Sequence, residues 1–244
     1  MRLGRVESRL RSILDSGEKL VFVLVDPEKP LPPRLGDVAG LADAVLVGGS
    51  LNITPYDMDD YIRAVRRVAP GKPVIIFPGG VNTVCREADA ILFMTLMNSL
   101  DPYWIIEAQV TAAPLIKRLG LEAIPSAYII YGHGGAAGHI GRAMPIPYEA
   151  PYIAAAYAAA AELLGARLVY LEAGSGSPRR VPDEAVKAAR KGLDYAMLVV
   201  GGGIRSPADA VGVVDAGADA IVIGTVVERD PDTAAKIIEA VKHR

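Results

Sequence analysis

The run Tyr170-Leu171-Glu172-Ala173-Gly174-Ser175-Gly176 sets one carboxylate directly before two closely spaced glycines. It follows the apolar run Ala166 to Val169 and precedes a helical pattern beginning near Pro182, so it reads as strand, glycine-rich loop, helix. A carboxylate at the end of a strand is rigidly held, and the glycines let the backbone bend close to a ligand and aim N–H groups at an anion. Two downstream segments repeat the scheme: Val199-Val200-Gly201-Gly202-Gly203-Ile204-Arg205-Ser206 and Ala220-Ile221-Val222-Ile223-Gly224-Thr225. Ser206 and Pro207 are placed to cap and start a helix over the Gly201 to Gly203 loop, and a helix N-terminus with free amides is suited to phosphate. Three neighbouring strand ends thus converge on one anionic group. Beside it, Glu172 suits bonding substrate hydroxyls or removing a proton, with a structural salt bridge as the competing role. Tyr170, two residues earlier, shares its strand face.

Other strand ends supply further chemistry. Asp26 and Ser50 close adjacent strands and offer hard oxygen donors, which suits magnesium held by few protein ligands and several substrate oxygens. Asp26 also reads as a turn residue before Pro27, and Ser50 as a loop hydroxyl bonding its own backbone. Arg205 faces either phosphate or an acidic neighbour. His133 and His139 lie in the glycine-rich stretch Gly132 to Gly141, a loop of functional length. Met94, Leu96, Met97, Tyr103, Trp104, Ile129 and Tyr131 form an apolar and aromatic rim that reads as core packing or as a groove for a hydrocarbon.

The elements that must position these residues alternate. Lys19 to Val25, Ala42 to Val47, Pro73 to Phe77, Ala88 to Phe93, a segment within Glu122 to Tyr131, Ala166 to Leu171, Tyr195 to Val200 and Ala218 to Ile223 read as strands buried on both faces. Helical patterns cover Val6 to Ser16, Tyr56 to Val68, Trp104 to Leu119, Pro151 to Leu164 and Pro231 to Lys242, the Pro151 helix so apolar that it reads as buried. Eight strands alternating with helices predict a single-domain α/β fold over residues 1–244, an eight-stranded β/α (TIM) barrel with an N-terminal helix. An open doubly wound sheet would carry its glycine fingerprint at the first turn, whereas here the phosphate-like turns follow the seventh and eighth strands. Between Phe77 and Ala88 too little chain remains for a regular crossover helix, so the third β/α unit is modified and short.

With 26 basic and 28 acidic residues, the net charge of -2 provides no field for a nucleic-acid partner. The single cysteine, Cys85, excludes an internal disulfide or a CxxC metal site and fits a reducing compartment. No apolar run approaches the ~20 residues of a spanning helix, and the N-terminus lacks a signal-peptide pattern, so a cytoplasmic protein is expected.

Taken in order, Val25-Asp26-Pro27 with Lys29, Val47-Gly48-Gly49-Ser50, Phe77-Pro78-Gly79, the Tyr170 to Gly176 loop, Val200-Gly201-Gly202-Gly203-Ile204-Arg205 and Ile223-Gly224-Thr225 resemble the geranylgeranylglyceryl phosphate synthase family. The resemblance spans Asp26 to Thr225, and the family's modified third β/α unit agrees with the short crossover. It implies transfer of a geranylgeranyl group from geranylgeranyl diphosphate to the C3 hydroxyl of sn-glycerol 1-phosphate, the first ether bond of archaeal membrane lipids. Carried over residue by residue, it implies Mg2+ on Asp26 and Ser50, and glycerol 1-phosphate held by Tyr170, Leu171, Glu172, Ala173, Gly174, Ser175, Gly176, Gly202, Gly203, Gly224 and Thr225. Glu172 is then the base, Lys29 or Arg142 the helper of the diphosphate, and Tyr103 or Trp104 the side chain that closes the groove. Bacterial relatives use longer donors with the same polar motifs, so a longer prenyl diphosphate is the alternative substrate. A sugar-phosphate isomerase or lyase, which would want a lysine or second acid at strand ends, and a non-catalytic phosphate-binding barrel are the other readings. A homo-oligomer through the Tyr152 to Leu164 helix and a peripheral membrane contact are also expected.

Overall fold

In the computed structural model, which describes residues 3–49 and 53–244, β-branched and leucine-rich runs form eight parallel strands. These are β1 (Leu20–Val25), β2 (Ala44–Val47), β3 (Val74–Ile76), β4 (Ala90–Leu96), β5 (Glu122–Ile130), β6 (Leu168–Glu172), β7 (Met197–Gly201) and β8 (Ala220–Ile223). Each pairs with the next in chain order, and β8 returns to β1 through the Leu20–Ala220 to Val23–Ile223 register, so the sheet closes. The expected barrel is therefore what the chain forms.

Strand parity splits the core in two. Phe22, Leu46, Leu92, Tyr128, Tyr170 and Met197 fill the barrel, while Val23, Val45, Ile91, Ile129, Leu171 and Val200 pack outward under the helices. Ile129 and Tyr131 therefore do not belong to the apolar rim expected for them, because they sit on the outward parity and are fully buried in the helix layer.

The N-terminal helix α1 (Arg5–Asp15) lies across the strand N-termini. Its Val6 and Leu10 join the barrel interior, and its Val6 and Glu7 amides donate at 2.8 and 2.9 Å to the Glu122 carboxylate at the start of β5. Buried Glu7 in turn holds Arg167 at 2.8 Å and Arg11 at 3.0 Å. The barrel is thus plugged at one end and open at the other.

The remaining helices are α2 (Leu35–Leu41), α3 (Pro55–Val68), α4 (Ala108–Leu119), α5 (Gly135–Ile140), α6 (Pro151–Leu163), α7 (Asp183–Lys191), α8 (Pro207–Asp215), α9 (Thr225–Arg229) and α10 (Pro231–Lys242). Between β3 and β4 stands only a 3-10 turn, Val81–Thr83, as the short crossover requires. It is pinned by Asn82 Nδ2 donating to the Ile53 carbonyl at 2.7 Å and by the Arg86 and Glu87 amides donating to Asp59, both at 3.0 Å. Tyr103–Glu107 forms a π-helical turn leading into α4.

Two expectations are corrected. The Gly132 to Gly141 stretch is not all loop, since α5 occupies its second half. The α6 helix is not buried as a whole: Ala154, Ala158 and Ala161 face inward, but Tyr152, Leu163 and Leu164 are 72, 89 and 80% exposed. The one charged residue of this helix, Glu162, is itself buried and accepts the Asp194, Tyr195 and Ala196 amides, so no charged side marks the face that meets water. No helix among the described residues is long and apolar enough to cross a membrane.

Candidate functional site

At the C-terminal rim of the barrel, β6 presents Glu172. Its side chain is 6% exposed and faces the barrel interior with Tyr128 and Tyr170, and its Oε1 accepts the Gly174 amide at 2.5 Å. Phe77, Tyr128 and Tyr170 form a three-ring cluster beneath it, with edge-on centroid separations of 5.3 to 5.5 Å. Burial raises the Glu172 pKa above the ordinary carboxylate value, opposed by the Gly174 amide and by the neighbouring Tyr170 and Tyr128 hydroxyls. Burial together with that carboxylate keeps both phenols protonated. The Tyr170 hydroxyl faces Glu172 without reaching hydrogen-bond geometry. Among the described residues no lysine or arginine pairs with Glu172, so the structural salt bridge weighed for it is not formed.

The glycine loops lie against this carboxylate. Gly174, Gly202 and Gly203 have φ of 102°, 78° and 74°, conformations that side chains resist, and a Cβ on Gly202 would fall 2.6 Å from the Gly174 nitrogen. The loops therefore interlock backbone to backbone, and only glycine permits it. Gly174, Ser175, Gly224 and Thr225 line the cavity, with Thr225 opening the short helix α9 at the position where such barrels hold phosphate. Arg205 reaches neither an acid nor the cavity; its guanidinium clasps the carbonyls of Ser177 at 2.5 Å and Gly176 at 3.2 Å. Ser206 caps α8 as expected, its hydroxyl accepting the Asp209 amide at 3.1 Å while its own amide donates to Asp209 at 3.0 Å. Of the loop residues expected to hold substrate, Tyr170, Leu171 and Ala173 have side chains buried in the core, and Gly176 lies exposed on the loop.

Asp26, Lys29, Gly48, Gly49 and Glu228 line the same cavity. Asp26 Oδ1 accepts the Glu28 amide at 3.0 Å, and Lys29 Nζ sits 3.0 Å from both Glu228 oxygens and 3.7 Å from Asp26. Ser50 lies outside the described residues. Arg142 pairs with Asp101 at 3.6 Å and does not line the cavity, and His133 and His139 are exposed. Cys85 is buried and its thiol is pushed up to about 12, chiefly by burial, so it is inert.

An apolar arm completes the cavity. Met94, Leu96 and Trp104 line it at the rim, and through the gap left by the missing third crossover helix it continues past Phe93, Val84 and Val81 to Ala112 and Ile116. Tyr103 does not line it, but its ring meets Trp104 edge-on, centroids 4.9 Å apart. Glu228 and Gln109 are cavity residues that sequence reasoning missed. Glu228 rides on a five-residue helix concealed between β8 and α10, whereas Gln109 was detectable as the one polar residue in the Gln109, Ala112, Ile116 helical stripe.

The sequence profile of the PcrB family matches residues 15–242. The chain belongs to the PcrB family. Within the family, the geranylgeranylglyceryl phosphate synthase of Hyperthermus butylicus is 63% identical over 239 residues, covering 97% of this chain and 99% of that protein. The Aeropyrum pernix synthase is 49% identical over 92% of both chains. The crystal structure of (S)-3-O-geranylgeranylglyceryl phosphate synthase from Thermoplasma acidophilum, in complex with substrate sn-glycerol-1-phosphate, superposes with a TM-score of 0.90 at 37% identity and covers all of both chains. A tryptophan synthase alpha chain from Legionella pneumophila, at 14% identity and a TM-score of 0.59, shares only the barrel. The resemblance drawn from the motifs is thus borne out at the level of the family.

Proposed function

We propose that this chain transfers the geranylgeranyl group of geranylgeranyl diphosphate to the C3 hydroxyl of sn-glycerol 1-phosphate. The observation that carries it is one continuous cavity joining a buried unpaired carboxylate and glycine cradle, an Asp26–Lys29–Glu228 cluster, and an apolar arm. An isomerase or lyase has no use for the arm. The name shared by the relatives in Hyperthermus and Aeropyrum supports the same reading.

In this reading the Gly174 to Gly176, Gly202 to Gly203 and Gly224 to Thr225 backbones hold the phosphate of glycerol 1-phosphate and bring its C3 hydroxyl to Glu172. The Glu172 carboxylate takes the hydroxyl proton as the oxygen bonds C1 of the prenyl chain. The C1–O bond to the diphosphate breaks, and diphosphate leaves with the electron pair. Lys29 stands ready to meet the diphosphate once that group competes with Glu228 for its ammonium. The apolar arm takes the hydrocarbon, whose burial contributes about 0.8 kcal/mol per CH₂.

No three acidic, His or Cys side chains among the described residues converge tightly enough to hold an ion alone. That donor set still fits magnesium, which keeps most of its shell for water and substrate oxygens and needs one or two carboxylates. Asp26, with Ser50, would hold Mg2+, which when bound neutralises charge on the departing diphosphate. The exposed Tyr152, Leu163 and Leu164 stripe is where a second copy would pack, and a cytoplasmic enzyme that hands its product to a membrane surface fits the lipid product.

The test is a single-turnover assay with radiolabelled glycerol 1-phosphate and prenyl diphosphates of increasing length, with and without magnesium. Magnesium-dependent ether product, greatest with the geranylgeranyl donor, is the expected result. No product with any donor would leave only a phosphate-binding barrel.

A further inference from the structure

Among the described residues Lys29 is the one basic side chain that lines the cavity, and three carboxylates, Asp26, Glu172 and Glu228, line it as well. For a site that takes anionic groups this balance is inverted, because each carboxylate repels the ligand it faces. In the prenyl-transfer reading Asp26 serves magnesium and Glu172 serves the hydroxyl proton. Glu228 has neither task, yet it holds the lysine: Lys29 Nζ lies 3.0 Å from both Glu228 oxygens and 3.7 Å from Asp26.

Stability does not account for the pair. The Lys29 and Glu228 side chains are 53 and 27% exposed, and ion pairs this open to water contribute little to folding. Nor does α9 need Glu228 to form, since the Val227 amide closes its first turn by donating to the Gly224 carbonyl at 2.8 Å. The position of Glu228 on that helix is what matters. Thr225 and Glu228 stand three residues apart, on one side of α9, and both line the cavity. The element that completes the glycine cradle therefore also carries a carboxylate to the ammonium beside Asp26. A lysine ammonium on its flexible stem is a point charge that changes partners readily. A diphosphate arriving at the Asp26 end must take it from Glu228, and once the prenyl group has been transferred Glu228 stands beside it to take it back.

We propose that Glu228 is a resident counterion that competes with diphosphate for Lys29, weakening the hold on the donor and letting the inorganic diphosphate product leave. This rests on the prenyl-transfer reading of the cavity. The other roles open to Glu228 predict a different sign. Removing a metal ligand would weaken diphosphate binding, and removing a surface ion pair would leave it unchanged.

The test measures the binding of inorganic diphosphate by calorimetry, with magnesium present, to the full-length protein, Glu228→Gln, Lys29→Ala and the double variant. Glutamine keeps the length of the side chain and removes its charge; Glu228→Ala takes its place should that variant fail to fold. The expected result is an affinity raised at least about tenfold in Glu228→Gln, as removal of a like charge facing the ligand requires. Inhibition of steady-state turnover by added diphosphate should strengthen by the same factor. In the Lys29→Ala background the gain should shrink to less than about twofold, because the two substitutions act through one contact. Unchanged or weakened binding in Glu228→Gln overturns the proposal, and so does a gain that persists undiminished without Lys29. Native protein that binds diphosphate but forms no ether product would instead sink the prenyl-transfer reading and leave the competition for Lys29 standing, whereas native protein that binds no diphosphate overturns both.

Discussion

Replacing Glu172 by glutamine separates its chemistry from its place in the fold. The amide keeps a carbonyl oxygen for the Gly174 amide, now bonded at 2.5 Å, and preserves the side chain's volume above the Phe77, Tyr128 and Tyr170 rings. It cannot take a proton. If Glu172 is the base, the variant should lose about 10²–10⁴-fold in single-turnover rate, a barrier rise of about 2.7–5.4 kcal/mol. Calorimetric affinity for glycerol 1-phosphate should change little. The pH profile supplies the sign. Burial lifts this carboxyl above its ordinary 4.5, so the native rate should climb with one proton's slope at a midpoint above that value, and the limb should vanish in the variant. Stability should move the other way. A carboxyl whose folded pKa is raised favours folding below its unfolded pKa and loses that contribution as pH rises through the folded value. At neutral pH the ionised Glu172 therefore costs stability, and Glu172→Gln should melt higher than native protein, by a margin that closes as the pH is lowered. Turnover within about tenfold of native, with the acid limb intact, would show that Glu172 only orients the hydroxyl.

Three further outcomes are expected. Lys29→Ala should raise KM for the prenyl diphosphate at least about tenfold while leaving glycerol 1-phosphate affinity unchanged, measured by steady-state kinetics, because it removes a charge-assisted hydrogen bond. Asp26→Ala should abolish the stimulation of turnover by added magnesium, and unchanged turnover and ligand binding would refute the metal assignment. Gly202→Ala should cost at least about 1–2 kcal/mol by denaturant titration and weaken glycerol 1-phosphate binding, since its φ of 78° resists a Cβ and that atom would collide with Gly174.

The barrel was legible because strands buried on both faces write themselves as unbroken apolar runs, from the Leu20 stretch to the Ala220 stretch, separated by stretches long enough for helices. The polar site was legible because Gly174 and Gly202 meet in a backbone contact that a side chain would block, and Gly203 packs as tightly on the Arg179–Arg180 backbone, so their spacing carries the geometry with it. The apolar arm was harder to read. Ile129 and Tyr131 are as hydrophobic as Tyr128 and Ile130, and only the pairing of Tyr128 with Tyr170 fixes which parity faces inward. Glu228 was hidden for a different reason: α9 is too short to show a helical period, so a carboxylate that holds Lys29 looked like part of a connection.

The missing third helix links the two halves of the site. In a complete barrel the outward residues Ile91 and Phe93 of β4 would be covered by a crossover helix, as Val169 and Leu171 of β6 are covered by their own. Here only the 3-10 turn at Val81–Thr83 stands on that side and Phe93 is left half-buried, and Ile91 and Phe93 line the cavity together with Ala112 and Ile116 of α4. An apolar wall left in this way is costly to a protein that holds nothing against it. A chain of hydrocarbon laid along it recovers much of the area that a helix would have buried, and it does so in line with Glu172 at the open end. In the prenyl-transfer reading the same short crossover directs the ligand: the polar head would meet the phosphate cradle and the Asp26 cluster, and the hydrocarbon would follow the apolar lining past Phe93, Val84 and Val81 to Ala112 and Ile116.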